Sequence, residues 1–253
     1  MGEELTGGRF AAPTRSGNVV ERRAVSANAR ALLRHFEQVG FSLAPRYLGT
    51  DGERDRLSYI AGETGYPPLS DSIRSDEALV SVAKAIRAMH DATAGFVPVD
   101  DEWYHQEYAV PAAVDCIGHH DLAPWNLVFA GTEVVGILDW DTVRPSNRAW
   151  DLAYAAHQFV PFHPTPDLPG WGWTTEPDRR ARLDLFCTTY GHGITPTQLV
   201  DLAALRLLSV AAEMSRQIHL GNPAYCVQAA EDHPAAYRKT ATWLLTNRTQ
   251  FLS

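Results

Sequence analysis

Between residues 75 and 92, apolar side chains recur at Leu79, Val82, Ile86 and Met89, the three-to-four spacing that lines one face of a helix. Ser75 stands where a cap is needed, and Asp76 and Glu77 fill the first turn, where the helix dipole favours acids. The same periodicity places Leu32, Leu33, Phe36 and Val39 on one face of an earlier helix, capped by Ser26 and stopped at Gly40. Around that helix the pattern is strand-like. "RFAAPTRS" and "VVERRAV" flank Gly17-Asn18, a pair that accepts the positive φ of a hairpin turn, and "APRYLGT" and "DRLSYIAGE" flank Asp51-Gly52.

Beyond about Pro67 helices dominate. Glu176 to Tyr190 predicts a helix ended by Gly191. Thr195-Pro196-Thr197-Gln198 reads as a capping box with proline at the first helical position, opening a long apolar helix that runs to Gly221. A last helix restarts at Pro234 and carries Trp243, Leu244 and Leu245. The apolar run "EVVGILDW" is too short for a helix and predicts a strand. The expected class is therefore α+β. A small strand-rich unit covers 1–64 and a larger, mainly helical one covers 65–253.

Composition narrows the functions open to such a chain. Of its 253 residues 45% are hydrophobic, enough for a sizeable core, and the formal net charge is −8 with only two lysines, Lys84 and Lys239. A surface that coats nucleic acid needs clustered basic residues, so nucleic acid is not an expected partner; a cationic small molecule suits the charge better. Cys116, Cys187 and Cys226 are widely spaced and odd in number, which fits reduced thiols. No apolar run approaches membrane-spanning length, and "MGEELTGGRF" lacks the basic flank and apolar core of a signal peptide. A cytoplasmic protein with no membrane partner is the expectation.

The chemistry concentrates in "GHHDLAPWNLVF", Gly118 to Phe129. One reading takes His119, His120 and Asp121 as metal ligands, with His90 and Asp139 completing the set of a metal-dependent phosphohydrolase. That dyad normally lies within a helix, and Pro124, three residues past Asp121, argues for a loop. The other reading uses more of the residues. Asp121 and Asn126, an apolar strand, a turn at Gly131-Thr132 and a second strand ending in Asp139 bring an acid, an amide and a second acid together. Phosphoryl transfer needs those groups: a carboxylate to take the proton of an attacking hydroxyl, and hard oxygen ligands to hold Mg²⁺ against nucleotide phosphates.

The segment Cys116 to Ala155, with His-x-Asp-x-x-x-x-Asn, then Ile-Leu-Asp-Trp, then Asp-Leu-Ala, resembles the catalytic core of the aminoglycoside phosphotransferase and choline kinase-like family, relatives of protein kinases. "RAMHDATAGF" and "LLRHFEQVGFSLAPRYLGT" are similar to further segments of that family, in the expected order. The resemblance implies a bilobal protein-kinase-like fold with Mg²⁺ as cofactor and ATP or GTP as phosphoryl donor. Asp121 would be the catalytic base, His119 the brace of its loop, and Asn126 and Asp139 the metal ligands. Asp151 would tie the loop to the following helix; Asp141 would support the ion or do nothing, and His120 would face solvent or pack.

The small lobe lacks the lysine that grips nucleotide phosphates in such kinases, and the expected helix glutamate is missing too, since Glu37 lies about two turns late and Glu21 points off the other strand face. Arg22, which alternates with Val20 and Ala24, is the preferred substitute over Arg23. Gly7 and Gly8 would approach the phosphates, and Tyr59 and Ile60 would contact the nucleotide. For the acceptor, "FVPFHPTPDLPGWGW" offers Asp167, Trp171 and Trp173, or else only packs its own aromatics; Glu213 and Glu231 are candidate anchors for amines. The expected activity is phosphorylation of a hydroxyl on an aminoglycoside or similar antibiotic, so antibiotic resistance is the implied role. A sugar, amino alcohol or amino acid kinase, or a weak pseudokinase-like nucleotide-binding protein, is the alternative.

Overall fold

A computed structural model describes residues 3–5, 12–51, 53–104 and 113–252. The chain opens with β1 (Glu3–Glu4), β2 (Thr14–Ser16) and β3 (Val19–Arg23), continues through helix α1 (Ala27–Gln38), and returns in β4 (Tyr47–Asp51) and β5 (Arg54–Ser58). These strands form one sheet in the order β1-β2-β3-β5-β4, with antiparallel neighbours. The β2–β3 hairpin turns on Gly17 and Asn18, with Gly17 at φ 62°. The Ser26 side chain accepts from the Ala29 N–H and caps α1, whose Leu32, Leu33 and Phe36 are buried. Val39, expected on that face, is exposed instead, because the helix has already ended there and the chain turns at Gly40, φ 77°. Fully buried Asp55 on β5 accepts from the Val25 N–H and from Arg30 Nε, pinning α1 to the sheet.

A short linker then crosses to the larger lobe. β6 (Glu63–Thr64) pairs with β8 (Leu127–Ala130), and β8 pairs with β9 (Glu133–Ile137). Helices α2 (Asp71–Arg74) and α3 (Asp76–Ala92) follow the linker, and α3 buries its predicted stripe of Leu79, Val82, Ile86 and Met89. A two-stranded ribbon joins β7 (Cys116–Gly118) to β10 (Arg144–Ser146). The remainder is helical: α4 (Arg148–Phe159), a 3-10 segment Thr165–Trp171, α5 (Arg179–Tyr190), α6 (Pro196–His219), α7 (Cys226–Ala230) and α8 (His233–Thr246). Asp178 caps α5, so this helix starts three residues later than the predicted Glu176. Among the described residues no helix is long and apolar enough to cross a membrane.

The core runs continuously from Leu32, Leu33 and Phe36 of α1, through Trp140, to α3, α4 and α5, so it joins the two lobes. Phe36 meets Trp140 edge-on at 5.0 Å. Gly136 sits where a Cβ would meet the Ile60 side chain at 2.8 Å, so the linker from the small sheet lies directly on β9. The site described below occupies this crossing.

Two buried histidines set a pH dependence of stability. His157 and His163 have ring centroids 4.3 Å apart. Burial lowers the pKa of His157 to about 4 and holds that of His163 well below the usual value of 6.5. The unfolded chain binds these protons near the ordinary value and the folded chain does not. Stability is therefore full above about pH 6.5 and falls as the pH drops towards 4, by up to about 1.4 kcal/mol per pH unit for each histidine. Urea unfolding at pH 7 and pH 5 checks this; equal midpoints would contradict it.

Candidate active site

The loop from His119 to Asn126 is held from four directions. Asp151, fully buried on the first turn of α4, accepts from the His119 N–H at 2.8 Å, the His120 N–H at 2.7 Å and His90 Nε2 at 3.0 Å. Burial alone would raise its pKa, but the His90 hydrogen bond and the neighbouring histidines hold it well below the usual carboxylate range. Tyr190 Oη lies 2.8 Å from His90 Nδ1, so with Nε2 donating to Asp151 the hydroxyl donates to Nδ1. Thr142 Oγ1 donates to the His119 carbonyl at 2.6 Å, and Arg206 Nη2 donates to the His120 carbonyl at 2.6 Å.

His119 itself is fixed in one tautomer. Its Nδ1 accepts from the Asp121 N–H at 3.2 Å, which leaves Nε2 to donate to the Leu138 carbonyl at 2.8 Å. The ring thereby ties the loop to the end of the β8–β9 hairpin, and Trp140 packs edge-on against it at 4.9 Å. His120 is buried, with φ 65°, and burial drives its pKa well below the ordinary value. It packs and does not face solvent.

Three oxygen-bearing groups converge here. Asn126 Nδ2 donates to the Asp121 carbonyl at 2.8 Å and to Asp121 Oδ2 at 3.0 Å, so the amide offers its remaining Oδ1 as an acceptor. The Leu138 N–H donates to the Asn126 carbonyl at 2.7 Å, which sets Asp139 beside Asn126 across the hairpin. Asp139 lies at φ 62°, ψ 63°, a left-handed conformation that a non-glycine residue adopts only when its surroundings enforce it. Arg22 reaches across from β3 to donate through Nη1 to Asp139 Oδ1 at 3.0 Å and through Nη2 to Asp141 Oδ2 at 2.5 Å. Burial opposes the charge of Arg22, but Asp141 and Asp139 outweigh it and raise its pKa. Asp141 is pushed up to about 6 by burial and by Asp139, against the pull of Arg22. The partner of Arg22 is thus not a small-lobe glutamate: Glu37 is taken by Arg46 at 2.8 Å.

This donor set suits Mg²⁺. The ion prefers hard oxygens, and the side chains offer a carbonyl oxygen at Asn126 and a carboxylate at Asp139. The histidine-rich alternative does not assemble. His90 is committed to Asp151 and Tyr190, His119 to Leu138 and Asp121, and among the described residues no group of three or more His, Cys, Asp or Glu side chains could hold a metal.

The other sequence candidates are placed as follows. Gly7 and Gly8 lie outside the described residues. Tyr59 is half-buried with the Arg15 guanidinium 3.6 Å over its ring, and Ile60 lies against Gly136. Trp171 stacks on His163 at 4.0 Å, and its ring centre stands 6.4 Å from that of Trp125 in the His119–Asn126 loop. Trp173 is held between the guanidinium groups of Arg74 and Arg182, 5.1 and 5.0 Å from its ring centre. The three acids considered for the acceptor are engaged by bases of this chain: Asp167 by Lys239 at 3.1 Å, Glu213 by Arg216 at 2.8 Å, and Glu231 by His233 at 2.8 Å.

Residues 99–186 match the model of the phosphotransferase enzyme family. The trifolitoxin immunity protein of Rhizobium leguminosarum bv. trifolii is 36% identical over 160 residues, 60% of this chain and 59% of the relative, so the match spans less than two thirds of that protein. A choline/ethanolamine kinase family protein from Mesorhizobium loti superposes with TM-score 0.66 at 17% identity, over 97% of this chain and 88% of its own. The streptomycin–ATP–APH(2")-IIa ternary complex gives TM-score 0.55 at 13% identity, over 90% of each chain. Residues 99–186 thus resemble the phosphotransferase enzyme family in sequence, and over nearly its whole length the chain shares the fold of the choline/ethanolamine kinase family protein and of the aminoglycoside phosphotransferase.

Proposed function

We propose that the protein transfers the γ-phosphoryl group of ATP or GTP to a hydroxyl of a small molecule. The observation that carries this reading is the convergence of Asp121, Asn126 and Asp139, locked by the Asn126–Asp121 and Leu138–Asn126 hydrogen bonds. In this reading Asp121 orients the acceptor hydroxyl and takes its proton as the acceptor oxygen forms its bond to phosphorus. The bond from phosphorus to the bridging oxygen breaks, and the nucleoside diphosphate leaves with that electron pair. Asn126 and Asp139 would hold Mg²⁺, which when bound neutralises charge on the phosphates. The tautomer-fixed His119 and the buried Asp151 keep the Asp121 backbone in place, so no ordering is needed at the moment of transfer.

Arg22 would serve where a lysine is absent. Its forked donors match phosphate oxygens, and its present partners, Asp139 and Asp141, mark where the phosphates and the ion would arrive. Arg22→Gln should weaken Mg–nucleotide binding about 10- to 100-fold, the range for a lost charge-assisted contact. Fluorescence titration with Mg–ATP and Mg–GTP measures it, and unchanged affinity for both would remove Arg22 from the nucleotide site. As for the acceptor, the immunity role in the name of the Rhizobium relative and the streptomycin in the structural neighbour support an antibiotic. An aminoglycoside is one such acceptor, although the acids considered for the acceptor are already paired within this chain.

A further inference from the structure

Beside the His119–Asn126 loop, two arginines keep a buried Nε–H with no hydrogen-bond partner among the described residues. Arg144 lies on β10, opposite Gly118 of β7, two residues before His120. It is half-buried, its Nε is buried without a hydrogen-bond partner, and among the described residues it forms no ion pair. Arg206, 2% exposed on α6, gives Nη2 to the His120 carbonyl and keeps a buried Nε with no hydrogen-bond partner. Its guanidinium stands 5.7 and 5.3 Å over the rings of Trp150 and Tyr154. The two arginines repel one another. Burial first, and then Arg206, lower the pKa of Arg144 to about 10.

Three acids act on this pair, Asp151 on both, Asp121 on Arg206 and Glu213 on Arg144, but none forms a hydrogen bond to either guanidinium among the described residues. Asp151 is filled by His90 and two backbone N–H groups, and Glu213 by Arg216 and Gln217. What each arginine lacks among the described residues is an acceptor for its buried Nε–H, and a buried donor without an acceptor is unfavourable until an anion supplies one. A guanidinium pairs best with the forked oxygens of a carboxylate or phosphate.

We infer that the hydroxyl acceptor carries an oxyanion, a carboxylate or phosphate group, recognised by Arg144 with Arg206 behind it. This rests on the phosphotransferase reading above and narrows its substrate class. It reverses the expectation of a cationic acceptor drawn from the net charge of −8, because overall charge reports the surface while recognition depends on what lines the site.

The test pairs binding with transfer. With the protein saturated in Mg–ADP, melting shifts are read for hydroxy acids, sugar phosphates and cationic aminocyclitols, on wild type and on Arg144→Gln and Arg144→Lys. The expected result is a shift with hydroxy acids or sugar phosphates that Arg144→Gln weakens by about tenfold in affinity and Arg144→Lys partly restores. Which of those two sets responds tells a carboxylate from a phosphate. A variant that does not fold shows no melting transition, and then the wild-type preference between anionic and cationic compounds decides alone. Shifts with aminocyclitols only, or with no compound, would overturn the inference. Mg–ATP and the same panel then test transfer: oxyanion binding without phosphorylation of any compound leaves the inference standing and overturns the kinase reading, and cation phosphorylation does the reverse.

Discussion

Asp121→Ala is expected to lower kcat by about 10³-fold, within the range for removing a positioned acid–base group, with the melting temperature almost unchanged. Asp121 is only half-buried, and its side chain accepts from Asn126 Nδ2 at 3.0 Å, so truncation acts at the loop surface rather than in the core. The loop backbone stays fixed by Asp151, Thr142 and Arg206, none of which uses the Asp121 side chain. Loss of activity with retained fold and retained Mg–nucleotide affinity is therefore the specific signature. An Asp121→Ala protein with wild-type turnover would remove the acid–base role.

Asp151→Asn should show the opposite signature. The substitution keeps the volume but replaces one acceptor oxygen with a donor, facing N–H groups at 2.7 and 2.8 Å and His90 at 3.0 Å. Breaking so buried a charge network costs roughly 3–5 kcal/mol, a large part of the stability of most domains. At about 2–4 °C per kcal/mol for a chain of this size, the melting temperature should drop by roughly 10 °C. Activity measured well below that temperature should fall because the His119–His120 backbone loses its anchor. Calorimetry on the purified variant measures the shift; an unchanged transition would mean that Asp151 does not secure the loop.

The contrast between these residues also explains what could be read in the chain beforehand. Asp121, Asn126 and Asp139 were legible because their spacing is local: one loop and one hairpin, with Gly131 at its turn, bring them together. Arg22 was legible through strand alternation, which assigns it to one face of β3 even though its partners lie more than a hundred residues away. Partners supplied from distant elements were not. Tyr190 comes from α5, Arg206 from α6 and Trp171 from the 3-10 segment to a loop near residue 120, and no spacing rule links them. Arg206 did leave a trace, since it continues the buried line of Leu199 and Ala203 along α6, where a charged residue calls for a partner.

The acids considered for the acceptor are engaged within the chain, and for Glu213 the reason is local. Glu213 is three residues from Arg216 and four from Gln217 on the same helix, so its partners were present in the sequence and take both carboxylate oxygens. Glu231 likewise has a near neighbour in His233, whereas the partner of Asp167, Lys239, comes from distant α8. Arg144 and Arg206, by contrast, are cations that local spacing leaves unpaired, and only the packing of β10 against β7 and of α6 beneath the loop brings them together.

The central claim is that Asp121, Asn126 and Asp139 form a phosphotransfer site. The most direct measurement incubates the protein with Mg²⁺ and γ-labelled ATP or GTP over an acceptor panel that spans cationic, neutral and anionic alcohols, and follows the label into acceptor mass. The account predicts the gain of one phosphoryl group on an acceptor hydroxyl, dependent on Mg²⁺ and lost in Asp121→Ala. Phosphate release from a phosphoester without any nucleotide, or tight nucleotide binding with no labelled acceptor across the panel, would contradict it.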